Sequence, residues 1–345
     1  MKTRILFSFI LLTSIFSACK KEGPSGPAGP PGSPGVNGIG SPDPNIYNKW
    51  QVISGLPNTK YVIIKSDNSY FQLDSNAYGF KNLSSDAALI TGSQIACFNL
   101  FNYIISNDTL TLVNLYGTVI LKKNTNAPDE TQWVLPFTEI DSIASPVTNG
   151  DGREDLGFDG TNILWTADAS SNAIYKINPT THSVAGTVPL TNTYYYGQVN
   201  YAAANIWISN NATVDKVNPS NGNVISTSPT LTTVTGPLTG MALAGQNLWY
   251  CDWQGNISTW DIISNAITPQ LQYRTEGMEY VNGYLYMTKG NKIYKCELSP
   301  TFKVVASYAG DNNASYQGIT YDGSHFWVVK YNYNQNNYSL VKLSI

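Results

Sequence analysis

From about residue 155 to the C-terminus the chain runs in short apolar stretches broken by polar turns, and one triplet recurs. It reads Ile163-Leu164-Trp165, Asn205-Ile206-Trp207, Asn247-Leu248-Trp249, Tyr284-Leu285-Tyr286 and His325-Phe326-Trp327. The aromatic anchors stand 42, 42, 37 and 41 residues apart. A period near 40 with an aromatic locked to it predicts propeller blades. Each blade is a four-stranded meander that cannot bury both faces alone, so neighbours stack around an axis. In each repeat a first strand leads through a short turn, such as Asp159-Gly160 or Asn282-Gly283, to the anchor strand. A third strand is centred on lysine in four repeats, at Lys176, Lys216, Lys295 and Lys342, and a fourth strand follows. The last repeat reaches Ile345 without its fourth strand, while a strand-like run, Trp133 to Ile140, precedes the first. That run is expected to join the last blade and close a five-bladed ring, which removes an open edge.

Between residues 45 and 126 the alternation has period two with polar turns. Tyr61 to Lys65 returns through Ser66-Asp67-Asn68-Ser69 as Tyr70 to Leu73, Tyr103 to Ile105 returns as Leu110 to Val113, and Thr118 to Lys122 closes the meander. Such runs read as antiparallel hairpins. The fold class is therefore all-β: a small antiparallel domain, barrel or sandwich, over 45–126, and the propeller over 127–345. A filled core is expected in the small domain rather than a ligand cavity.

The N-terminus changes the picture. Lys2 and Arg4 precede an apolar run, Ile5 to Ile15, that is too short to span a bilayer, and Phe16-Ser17-Ala18-Cys19 follows. This resembles the lipobox of bacterial lipoproteins, which implies a signal peptide over 1–18, lipidation of Cys19 and a place in the cell envelope on the outer membrane. Glycine then stands at every third place: Gly23, Gly26, Gly29, Gly32, Gly35 and Gly38. The stretch 19–44 thus carries the G-X-Y pattern of a collagen-like stalk. Its readings are a monomeric extended spacer of roughly 50–60 Å, at about 3.1 Å per residue, or a short triple helix joining three chains.

Only 12% of residues are charged and the formal net charge is −3, so nothing favours nucleic acid as a partner. Cys97, Cys251 and Cys296 have no metal-site spacing and are expected to be free thiols. His182 and His325 fall in turns on the face away from the strand starts, which argues against a histidine triad or zinc site.

The Trp50 start and the Tyr103 to Leu110 hairpin resemble the small lipocalin-like domains of Bacteroidetes lipoproteins. The repeats resemble the YVTN/NHL-like and glutamine-cyclotransferase-like propellers in the rhythm Gly277-Met278-Glu279-Tyr280…Leu285-Tyr286 and Gly318-Ile319-Thr320-Tyr321…Phe326-Trp327. Propellers host many unrelated activities, so function has to be argued from a site. Register places Asp155, Gln198, Thr239, Glu276 and Gln317 at the starts of the innermost strands. Asp168, Asn210, Asp252, Lys289 and Lys330 stand three residues after the anchors, on the same rim. These ten form the predicted binding ring. Glu276 and Asp155 are the candidate catalytic carboxylates, with the chemistry to hold calcium as well, although no cofactor is predicted. Tyr194-Tyr195-Tyr196, Tyr331, Tyr333 and Tyr338, among asparagines, suit a glycan platform. The expectation is a lipid-anchored envelope protein that binds a glycan or a protein. The alternatives are a propeller enzyme, a hydrolase, lyase or cyclotransferase working through the rim acids, and a purely structural envelope protein.

Overall fold

The structure is a computed structural model that describes residues 41–147, 155–168, 172–192, 194 and 198–345. The leader, Cys19 and the stalk lie outside the described residues, as do Tyr195, Tyr196 and the side chain of Asp168. Residues Pro42–Ile345 form one compact unit containing both β-structures.

The small domain is a nine-stranded antiparallel sheet, nearly closed on itself. Its first strand, Lys49–Ser54, pairs with the second, Thr59–Ile64, and with the last, Gly117–Lys123, so the meander does close on the Trp50 strand. Period-two alternation turns Val62, Ile64, Tyr70, Phe101, Tyr103, Leu110, Leu112, Val119 and Leu121 inward around Trp50, and these side chains fill the interior. Phe80 leaves this domain and stacks on Tyr273 of the propeller, ring centroids 3.5 Å apart, with Tyr294 edge-on at 5.0 Å. Trp133 docks on the same hairpin, its indole N–H donating to the carbonyls of Asp74 and Asn82.

Five four-stranded blades follow. Blade 1 comprises Leu156–Phe158, Leu164–Asp168, Ala173–Asn178 and Ser183–Pro189, and blade 2 comprises Val199–Ala202, Asn205–Asn210, Thr213–Val217 and Val224–Thr227. Blade 3 is Leu238–Ala244, Asn247–Asp252, Asn256–Asp261 and Ile267–Gln272, and blade 4 is Gly277–Val281, Tyr284–Lys289, Lys292–Glu297 and Lys303–Ala309. Blade 5 is Ala314–Tyr321, Phe326–Asn332 and Asn337–Ser344, completed by Thr138–Ala144, which pairs antiparallel with the C-terminal strand. The ring is closed by an N-terminal strand as expected, but that strand starts later than the run at Trp133. Trp133 instead ends a one-turn helix, Glu130–Trp133, held by a capping box between Asp129 and Gln132. Leu135–Pro136 adds briefly to the edge of blade 4 before the chain crosses to blade 5.

The anchors act between blades. Trp165 packs into the core between blades 1 and 2, Trp207 between 2 and 3, Trp249 between 3 and 4, Tyr286 between 4 and 5, and Trp327 between 5 and 1. The lysine at the centre of the third strand lies across from the anchor and sets its ammonium over the ring: Lys176 on Trp165 at 5.0 Å, Lys216 on Trp207 at 5.7 Å and Lys342 on Trp327 at 5.6 Å. Its aliphatic stem covers the outer face of the aromatic while the charge stays near water, which explains the recurring lysine. In blade 3 Thr259 takes that place beside Trp249. Cys97, Cys251 and Cys296 are free thiols. Burial pushes the Cys251 thiol up to about 11.

Candidate functional site

At the centre of the ring the inner strands touch through glycine. A Cβ on Gly277 would lie 2.5 Å from the Gln317 carbonyl oxygen and 2.7 Å from Gly318 Cα, and one on Gly157 would lie 2.7 Å from the Tyr201 nitrogen. Of the ten predicted ring residues, four at the starts of inner strands, Asp155, Thr239, Glu276 and Gln317, join one blade to the next. Asp155 is fully buried, and its Oδ1 accepts from the N–H groups of Leu156 (2.9 Å) and Ile319 (3.2 Å), tying blade 1 to blade 5. The Thr239 hydroxyl donates to the Thr275 carbonyl at 2.6 Å. The Gln317 carbonyl accepts from the Thr288 hydroxyl, and Glu276 Oε2 accepts from the Ser315 hydroxyl at 3.1 Å. Gln198 is also buried, its N–H donating to the Ser209 hydroxyl.

In the second set the side chains of Asp252, Lys330 and Lys289 are engaged as well. Asp252 accepts from the N–H and hydroxyl of Thr235 and from the N–H and side-chain amide of Asn256, all at 2.8–2.9 Å. Burial opposes its charge, but these donors outweigh burial and hold the carboxyl below its usual range. Lys330 grips both oxygens of Glu139 at 2.9 Å, and the Tyr316 hydroxyl donates to the same carboxylate at 2.6 Å. That group fastens the closing strand to the first two strands of blade 5. Lys289 lies over the Tyr273 ring at 4.2 Å, Asn210 ends its strand with its carbonyl accepting from Thr213, and Asp168 pairs with Ala173 through the backbone. Tyr194 is buried and donates to Asp215 at 2.8 Å, whereas Tyr331, Tyr333 and Tyr338 form an edge-to-face and tilted cluster at the surface.

One carboxylate between blades 4 and 5 escaped the register count. Glu279, on the inner strand of blade 4, accepts from the Tyr280 N–H and from the Thr320 hydroxyl of blade 5 at 2.9 Å. Burial pushes its carboxyl up to about 7, and burial together with the nearby Glu279 pushes Asp155 well above the usual range. One oxygen of Asp155 and the side-chain oxygen of Gln317 are buried without a partner among the described residues. Among the same residues, no group of three or more His, Cys, Asp or Glu gathers as a metal cage would need. Between pH 4.5 and about 7 the folded chain keeps a proton on Glu279 that the unfolded chain has lost, so stability falls as pH rises through this window. Glu279→Gln is expected to stabilise the protein at pH 8 by on the order of 2–3 kcal/mol, with the gain vanishing near pH 4. Urea unfolding at the two pH values checks this, and equal effects at both would refute the burial argument.

A second site lies on the opposite face, at the seam between blades 5 and 1. It is a recess of about 350 Å³ lined by Asp141, Phe158, Thr161, Asn162, Pro179, Thr180, His182, Asp322, Ser324, Trp327 and Lys342. His182 Nε2 meets Asp141 Oδ2 at 3.0 Å, and the Thr180 hydroxyl donates to Asn162 Oδ1 at 3.2 Å. Lys342 and the Trp327 indole N–H both reach Asp322 Oδ2, at 3.0 and 3.1 Å. Burial raises the Asp322 carboxyl, but the N–H groups of His325 and Ser324 and the Lys342 ammonium more than offset it and hold the acid well below its usual range. The walls are therefore mainly hydroxyl, amide and ion-paired groups, with Phe158 half-buried among them and Trp327 buried beneath Lys342. Sequence reading put His182 on this face but could not find the recess. Its walls join Asp141 of the closing strand to Lys342 of the C-terminal strand, which meet only when the ring closes.

No protein-family model matches the sequence, and no curated protein matches it. Solved structures similar to this one include glutaminyl cyclase from Myxococcus xanthus, with 10% identity, 60% of this chain and 95% of that one covered, and a TM-score of 0.47. A streptogramin B lyase is similar at 12% identity, over 86% of this chain and 94% of the other, with a TM-score of 0.35. BamB from Moraxella catarrhalis is similar at 12% identity, over 89% and 84%, with a TM-score of 0.32.

Proposed function

We propose that the chain is a lipid-anchored binding protein of the cell envelope that holds a saccharide unit of a glycan in the recess between blades 5 and 1. The lining of that recess carries the reading. Asn162 offers its side-chain N–H groups, and Thr161, Thr180 and Ser324, whose hydroxyl protons go to Asp159, Asn162 and Asp322, offer their oxygens as acceptors, beside half-buried Phe158. Sugar hydroxyls need that mixture, with apolar surface against the C–H face of the ring. The volume suits a small ligand rather than a protein surface. Binding is favoured over catalysis because Asp155, one of the two candidate acids, is fully buried and already accepts two backbone N–H groups. The leader, Cys19 and the glycine-rich stretch support an anchor that carries the propeller away from the lipid.

Calorimetric titration against a panel of envelope oligosaccharides tests the reading. Asn162→Ala with Thr180→Val, both at exposed positions, is expected to weaken binding by roughly tenfold or more, about 1.4 kcal/mol, with the melting temperature unchanged. Glu276→Gln with Asp155→Asn should leave the affinity for saccharide intact, and Cys19→Ala should release the chain from the membrane fraction. Binding that survives the recess variant but disappears in the rim variant would move the site to the channel mouth. Turnover lost in the rim variant would establish the enzyme instead.

A further inference from the structure

The outer face of the small domain carries an apolar surface that nothing among the described residues covers. Leu100 and Ile104 point outward from one strand, 58% and 64% exposed, while Phe101 and Tyr103 between them point into the core. Register extends the row: Ile104 pairs with Thr111, which pairs with Ile120, and Asn102 pairs with Val113. At the tip of the following hairpin Leu115 and Tyr116 are 98% and 90% exposed. From Gln94 to Leu121 the sequence holds a single charged residue, Asp108. A free sheet face normally carries charge, and exposed apolar patches of this kind mark interaction sites. The propeller docks elsewhere, against Tyr61, Phe71 and Leu83 through Trp133.

We infer that this face joins three copies of the chain. Two observations select that occupant. Glycine at every third place from Gly23 to Gly38 is a requirement of three packed strands, because only glycine fits at their axis, whereas a single extended spacer has no need of the period. Six triplets are too few to hold three chains alone, so a second contact must hold them together, and the apolar face lies in the domain that follows them. The chain also enters the domain against this strand, from its inward side: the Asp43 N–H donates to the hydroxyl of core-facing Tyr103 at 3.1 Å. Asn102, Thr111 and Thr118 among the aliphatic side chains give the flat, partly polar mixture of a protein interface.

The test is the mass of the full chain in detergent at micromolar concentration, measured by sedimentation velocity. Three chains per particle are expected. Ile104→Lys with Ile120→Lys should give single chains with an unchanged β-sheet spectrum. Leu115→Ser with Tyr116→Ser, at fully solvated positions that cannot affect folding, should weaken assembly at least roughly tenfold. Gly29→Ala with Gly32→Ala should lower the temperature at which the trimer dissociates but not that at which the propeller melts. Single chains in the parent, or trimers that persist in both surface variants, would overturn the proposal. Flotation of the parent, but not of the surface variants, with phosphatidylethanolamine–phosphatidylglycerol vesicles would assign the face to lipid instead. Saccharide binding by the recess is read separately and does not depend on the outcome.

Discussion

A Gly277→Ala variant is expected to lose roughly 3 kcal/mol of stability, and to melt some 6–12 °C below the parent by the usual scaling for a domain of this size. The added methyl group would sit 2.5 Å from the Gln317 carbonyl oxygen and 2.7 Å from Gly318 Cα. Both are backbone atoms of the neighbouring inner strand, so no rotamer change relieves the clash and blades 4 and 5 must separate. Separation would also strain the Glu279–Thr320 and Thr288–Gln317 hydrogen bonds that join the same two blades. Gly186→Ala is the control. It lies on the outer strand of blade 1, its nearest neighbour would be the Lys176 side chain at 4.0 Å, and it should melt within a degree or two of the parent. Scanning calorimetry distinguishes the two, and equal melting temperatures would show that the ring tolerates a wider axis.

The second large effect is expected at the closing strand. Ile143 is buried with Leu156, Leu164, Trp327 and Leu340 in the core between blades 5 and 1. Ile143→Asp places an unpaired charge there and removes the aliphatic packing, for an expected loss of about 4 kcal/mol or more. Ser142 is adjacent on the same strand and exposed on its other face, so Ser142→Asp should cost little. The C-terminal strand pairs with the closing strand from Ser339 to Ser344, so hydrogen exchange at Leu340–Leu343 should quicken sharply in the first variant and stay unchanged in the second. Fast exchange in both would show that pairing alone, not the core beneath it, holds the seam. The recess is built on this seam, so saccharide affinity should fall with Ile143→Asp as well.

Much of the site was legible only as positions. Counting from the anchors located Asp155, Thr239, Glu276 and Gln317 near the axis because strand register is a local property, repeated blade by blade. The count could not tell whether those side chains faced water or the next blade. Five blades leave so narrow an axis that polar groups at the strand starts reach the neighbouring strand. Four of the predicted ring residues, Asp155, Thr239, Glu276 and Gln317, are therefore an inter-blade lacing. Glu279 was missed because it stands two residues inside the inner strand, where alternation alone assigns it to an ordinary sheet face. Tyr194 read as a surface aromatic, since nothing in its neighbourhood of the chain reveals the Asp215 carboxylate waiting 21 residues away.

What the sequence determined by itself was whatever repeats or alternates. The anchor period set the number of blades, and the missing last strand with the extra run before the first repeat required an N-terminal closure. Period-two runs set the hairpins of the small domain and which of their residues face inward. These follow from short-range geometry, the pleat of a strand and the length of a meander. Tertiary structure alone decided how closely the inner strands approach and which acids lose their water. It also decided that Phe80 locks the small domain onto blades 3 and 4, and that Asp141 and Lys342 share one recess although they stand some 200 residues apart. Each of these depends on groups brought together by ring closure, and the free energy of burial or hydrogen bonding between them has no counterpart in the local pattern of the chain.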